Sequence, residues 1–201
     1  MALDSVETVD LPLFPLPTVL FPQGRLELRI FEARYLDMVR DCLRRAQCFG
    51  VCLMLEGASA GEPMTPAAVG TEARIVDFDS LPDGLLGISV RGERRFHVDR
   101  LRVLDNGQLR AKARILQVAA LQPVPAEFAL LVTLLQRLAQ PGDALLNAAD
   151  KACFDDSAWV AERLAERLPI SAWERQQVLQ CQDPRSQLQT IATWLPRFVA
   201  E

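Results

Sequence analysis

Two prolines, Pro123 and Pro125, divide the chain into stretches of different hydrophobic period. Before them, apolar residues recur at every second position between turn-forming Gly, Pro and Asn. After them, apolar residues recur at every third and fourth position. A period of 2 belongs to half-buried strands and a period near 3.6 to amphipathic helices. Such a chain is expected to fold as α+β, strands first and helices after. Its 201 residues can supply one good core, or two small ones.

In the first part, residues 9–14 alternate and are punctuated by Pro12, Pro15 and Pro17. Proline donates no ladder hydrogen bond, so this strand is predicted to be short or to lie at an edge. Phe21-Pro22-Gln23-Gly24 predicts a turn, and Leu26, Leu28 and Ile30 alternate after it. Residues 32–47 carry Leu36, Val39, Leu43 and Ala46 at helical spacing, with Gly50 as the expected stop. A short apolar strand over 51–55 and a small-residue loop over 57–66 follow.

Three hairpin signals come next. Pro82-Asp83-Gly84 fits a type I turn with glycine at the left-handed position, Gly92-Glu93 a tight turn, and Asn106-Gly107 a two-residue hairpin. They separate expected strands at 70–78, 85–91, 94–104 and 108–118. In the third, the apolar phase slips from Phe96 and Val98 to Leu101 and Val103. A bulge near Asp99-Arg100 restores the inward face and helps curl the sheet.

In the last part, residues 127–140 carry a wide apolar arc that includes Phe128, Leu131 and Leu135, the pattern of a central bundle helix. Pro141-Gly142 is its expected stop. Asp156 or Ser157 caps the next helix, which runs to Leu168. Ser171-Ala172-Trp173-Glu174 is a capping box, and Asp183-Pro184 an N-cap with proline at the first helical position.

Composition removes several function classes. Net charge is −4, which points to neither a dedicated nucleic-acid binder nor a membrane-surface protein. The first ten residues bear acids where a secretory signal needs bases, and no apolar stretch is long enough to span a membrane. Five cysteines without scaffold spacing read as reduced thiols and a cytoplasmic location. GxxxxGK[ST] and GxGxxG are absent, and His97 is the single histidine. Multi-histidine metal sites are therefore impossible, and no metal, cofactor or catalytic residue is expected.

Leu11-Pro-Leu-Phe-Pro-Leu-Pro-Thr-Val-Leu-Phe-Pro-Gln-Gly and Leu28-Arg-Ile-Phe-Glu-Ala-Arg-Tyr-Leu form a recognisable opening. Val69-Gly-Thr-Glu-Ala-Arg-Ile, Leu81-Pro-Asp-Gly and Val90-Arg-Gly-Glu-Arg-Arg-Phe form a second block. Together they resemble the N-terminal, substrate-recruiting domain of the ATP-dependent Lon proteases. Residues 168–195 resemble, more loosely, the helical part that follows in those proteases. The resemblance implies a PUA-like β pseudo-barrel over residues 8–120 and a helical bundle over 123–201. It also implies a non-catalytic module for unfolded or extended polypeptide in protein quality control. A protease or chaperone acting in trans is a further partner it allows. The chain ends where a Lon protease would begin its ATPase module, and Lys112 and Lys151, its two lysines, match no Ser–Lys dyad.

Arg34 and Tyr35 are the candidate binding residues, since an aromatic and a guanidinium can border a groove for extended peptide. The plain alternative is architectural, with the phenylalanines filling the barrel and Glu32 and Arg34 decorating the first helical turn. The expected recognition mode is strand addition with apolar pockets at the barrel–bundle junction. Arg110, Lys112 and Arg114 alternate with Ala111, Ala113 and Ile115, giving one basic and one buried face. That face is either solvated or the surface of an RNA-binding PUA-like module. It lacks the exposed aromatics that stack bases, so nucleic acid is not the expected partner. A small hydrolase is the third reading. Cys42, Cys48 and Cys52 read as structural thiols, and a Cys–His pair using His97 lacks any local signature.

Overall fold

The structure is a computed structural model of the chain, and it describes residues 7–55, 65–118, 120–141 and 143–198. They form two compact units, Met1–Gln117 and Val118–Glu201. The first unit runs β1 (Thr8–Leu16), β2 (Arg25–Ile30), α1 (Ala33–Arg45), β3 (Phe49–Leu55), β4 (Thr65–Pro66), β5 (Val69–Ser80), β6 (Leu86–Val103) and β7 (Leu109–Ile115). The second runs α2 (Ala129–Leu138), α3 (Ala144–Asn147), α4 (Lys151–Asp155), α5 (Ser157–Arg167), α6 (Ala172–Gln180) and α7 (Pro184–Trp194).

The sheet order is β1-β7-β6-β5-β3-β4, and β1 also pairs with β3 in parallel, so the ladder closes on itself. This is the expected curled sheet followed by helices. β2 adds to the first third of β6, Leu86 to Arg91. β1 is long and central, not the short edge strand that its prolines suggested. Its two ladders barely overlap: residues 8–13 pair with β7 and residues 13–16 with β3. Pro12 and Pro15 therefore each have a neighbour strand on one side only, where a missing N–H costs no ladder bond.

Closure needs close approaches, and glycines supply them where the sequence suggested breaks. Gly50 does not end α1; it lies in β3, where a Cβ would meet Leu13 Cδ2 at 2.6 Å and Phe96 Cζ at 2.7 Å. The helix ends instead at Ala46, in the left-handed conformation with φ 51°, with Gln47 N–H donating to the Cys42 carbonyl at 3.0 Å. The face it buries is Tyr35, Met38, Val39 and Cys42, while Leu43 stays exposed. These side chains pack beneath Phe14, Phe49, Val51, Ile88 and Val90.

Gly92 is not a turn either. β6 runs unbroken for 18 residues through it. A tight-turn signal was overridden by packing: Gly92 is buried against Leu20 and the Phe21 backbone. The other two turns are present. Gly84 has φ 82° and closes on the Leu81 carbonyl, and Gly107 has φ 78° and closes on the Leu104 carbonyl. The β6–β7 register shifts between Val98 and Arg100, which is the bulge that the phase slip predicts.

In the second unit α5, not α2, is the central helix. Every residue from Trp159 to Ala165 is buried, Glu162 and Arg163 included, and α5 packs on α2, α4, α6 and α7. On α2 only Leu131 and Leu135 are buried, and Leu130 is 78% exposed. Charges disguised α5 in the sequence. Arg163 is fully buried, and it is held in the interior by donating to Glu166 Oε1 at 3.0 Å. Burial pushes the Glu166 carboxyl upward, against the pull of Arg163 and Arg167. The expected caps form: Asp156 accepts from Ala158 N, Ser171 and Glu174 make a reciprocal capping box, and Asp183 accepts from Ser186 N. Gly142 of the expected stop lies outside the described residues, as does most of the 57–66 loop.

Candidate binding surfaces

Tyr35 sits inside the first unit. It is 7% exposed, and its ring stacks on Phe14 with centroids 4.1 Å apart. Burial raises its phenol above the ordinary value, with Arg34 opposing and Glu32 adding to the shift. Arg34 is half-buried above that ring, 4.7 Å from its centroid. It donates to the Gly107 carbonyl at 2.9 Å and pairs with Glu32 at 2.7 Å. The two residues therefore join α1 to β1 and to the β6–β7 turn. The aromatic face of Tyr35 is used by the core rather than offered at the surface.

Arg110, Lys112 and Arg114 share the outward face of β7, between β1 and β6. Two of the three already have carboxylates. Arg110 Nε donates to Asp10 Oδ1 at 3.0 Å, and Arg114 Nη2 donates to Asp99 Oδ1 at 3.3 Å. Asp99 is held below the usual carboxylate range by Arg114 first and His97 second. Lys112 makes no ion pair among the described residues. A continuous cation track for a phosphate backbone is thus interrupted at both ends of the stripe.

The thiols are poor nucleophiles. Burial pushes Cys42 up to about 11 and Cys52 up to about 12, and it raises Cys48 as well, so all three stay protonated at neutral pH. His97 is engaged with Asp99 at 3.1 Å, on the same outer face as Arg114. Among the described residues, no group of three His, Cys, Asp or Glu side chains is arranged to hold a metal ion.

What the first unit does present is unpaired backbone. Among the described residues, β2 pairs only with β6, and β5 beyond Ala73 pairs only with β6. β6 beyond Val98 pairs only with β7. Apolar side chains stand beside these edges: Val76 and Phe78 on β5, Leu101 and Val103 on β6, all more than 40% exposed. Strand edges with adjacent apolar groups can accept an extended chain by main-chain hydrogen bonding. Periodicity could not reveal them, because it shows which positions form strands but not which strand sides lack neighbours.

A closed, curled sheet with edges unpaired among the described residues, followed by a helical unit, is the class of domain the fold defines. Residues 10–197 match the family model of the substrate-binding domain of ATP-dependent protease La (Lon), and the chain belongs to that family. It is similar to a crystal structure of a Lon N-terminal domain protein from Xanthomonas campestris, at 44% identity and TM-score 0.78. That match covers 92% of this chain and 98% of the other. The N-terminal domain of the Mycobacterium avium complex Lon protease shares the fold at 16% identity and TM-score 0.66, covering 92% of this chain and 97% of that one. The Lon protease of Dictyoglomus thermophilum is 25% identical over 199 residues, 93% of this chain and 24% of that protein. The Lon protease of Xanthomonas oryzae pv. oryzae is 26% identical over 205 residues, 95% of this chain and 23% of that protein. The chain thus spans about a quarter of the length of these Lon proteases.

Proposed function

We propose that this chain is a non-catalytic module that captures unfolded or extended polypeptide segments. The observation that carries the reading is the family match over residues 10–197, on a fold whose first unit, among the described residues, leaves strand edges open beside exposed apolar side chains. Main-chain pairing plus a few apolar contacts is tolerant of sequence, as capture of unfolded clients requires. A protease or chaperone acting in trans is the proposed partner for chemistry on the client, and within these 201 residues the buried Cys42 and Cys52 thiols are protonated and supply no nucleophile. A cytoplasmic setting suits five free cysteines, and no helix among the described residues is long and apolar enough to cross a membrane.

The test is anisotropy of a fluorescently labelled, permanently unfolded protein titrated with the purified chain. A saturable rise, without peptide cleavage or ATP turnover, is the expected result. A flat trace up to high micromolar protein overturns the binding reading, and cleavage or turnover by the pure chain overturns the non-catalytic one.

A further inference from the structure

The outer face of the β1–β7–β6 sheet holds a groove of about 560 Å³, lined by Val9, Asp10, Lys112, Arg100, Leu101 and Arg102 among others. Two adjacent cross-strand rows cross it. In one, Arg110 of β7 stands opposite Arg102 of β6; in the next, Lys112 stands opposite Arg100. Like charges placed directly across a ladder repel. The first row solves this internally. Asp10 accepts from Arg102 at 2.7 Å through one carboxylate oxygen and from Arg110 at 3.0 Å through the other. Asp10 is also the register partner of Lys112, and among the described residues it pairs with the two arginines and not with that lysine. Among the described residues, neither Arg100 nor Lys112 makes an ion pair, and both are exposed.

We propose that the Arg100–Lys112 row is a carboxylate-binding site for an acidic extended polypeptide segment. A client Asp or Glu would bridge this row as Asp10 bridges its neighbour, and the next residue of an added strand would turn to the opposite face, beside Leu101. The unpaired outer edge of β6 beyond Val98 runs alongside and offers main-chain partners to the same segment. Charge complementarity selects the occupant. The row presents one isolated pair of free cations with apolar flanks, which fits single carboxylates among apolar residues. A nucleic acid would need a longer cation track, and Asp10 and Asp99 interrupt it on both sides. This inference rests on the polypeptide-binding reading and specifies which segments bind best.

The experiment compares a labelled peptide centred on Glu-Leu-Glu with its Gln-Leu-Gln counterpart, both with Gly/Ser flanks, on the full chain at low salt. The Glu peptide should bind about fivefold tighter, with the preference fading as salt rises. Arg100→Gln combined with Lys112→Gln should bring the Glu peptide down to the Gln peptide. Lys112→Gln alone should do most of this and leave the urea midpoint equal or higher, because it relieves a repulsion. Equal binding of the two peptides, or a preference that survives the double substitution, overturns the carboxylate site but not polypeptide capture. Failure of both peptides and of the unfolded protein to bind overturns both. Displacement of the Glu peptide by an equal concentration of a single-stranded RNA oligonucleotide overturns the choice of a peptide ligand.

Discussion

Gly92, in the middle of β6, lies so close to Phe21 that a Cβ at that position would overlap the Phe21 carbonyl oxygen. The approach is fixed by two backbone hydrogen bonds: Gln23 N–H donates to the Gly92 carbonyl at 2.8 Å, and Gly92 N–H donates to the Gly24 carbonyl at 2.9 Å. The obstacle is backbone, so it cannot rotate away. Gly92→Ala is expected to destabilise the first unit by about 3 kcal/mol, more than Gly84→Ala, whose Cβ meets no atom and carries only the cost of positive φ. Urea midpoints read by far-UV circular dichroism decide it.

Phe14 and Tyr35 tie β1 to α1 by a buried stack, so truncation there is a stability event first. Tyr35→Ala should cost about 3–5 kcal/mol, whereas Tyr35→Phe should leave capture of the labelled unfolded protein unchanged within error. A loss of binding in the folded Tyr35→Phe variant would assign the phenol a direct role in the client site.

The caps of α6 and α7 make the second unit sensitive to acid. Glu174 is held below the usual range by the Ser171 backbone N–H first, and Asp183 by the Ser186 hydroxyl first. A lowered folded-state pKa means that the stabilisation is complete above about pH 4 to 5, the unfolded range. It is lost as pH falls through the folded value. Tryptophan fluorescence follows this unit selectively, since Trp159, Trp173 and Trp194 all lie in it. Its urea midpoint should drop between pH 6 and pH 3, and Glu174→Gln should flatten part of that slope.

Thiol reactivity should rank by burial. At neutral pH Cys42 and Cys52 should react with iodoacetamide far more slowly than free cysteine, and denaturing urea should abolish the difference. Mass spectrometry of the alkylated peptides measures it. Rapid modification of Cys52 in the native chain would contradict its placement in the core beside Leu13 and Phe96.

The sequence by itself determined the division into strands and helices, the turns at Gly84 and Gly107, the bulge before Arg100 and the caps at Asp156, Ser171 and Asp183. Each depends on residues within a few positions of one another, so local chemistry suffices. Only the tertiary structure decided that Gly50 and Gly92 are packing points and not breaks, because their constraint comes from Leu13, Phe96 and Phe21, which are distant in the chain. It also decided that α5 is the central helix, since its buried Arg163 pairs with the half-buried Glu166 and so escapes a hydropathy pattern. The candidate site divides the same way. Alternation alone gave the basic face of Arg110, Lys112 and Arg114. Which of those charges remain unneutralised, and that Arg100 joins Lys112, follows from cross-strand register, a long-range pairing that local periodicity does not encode.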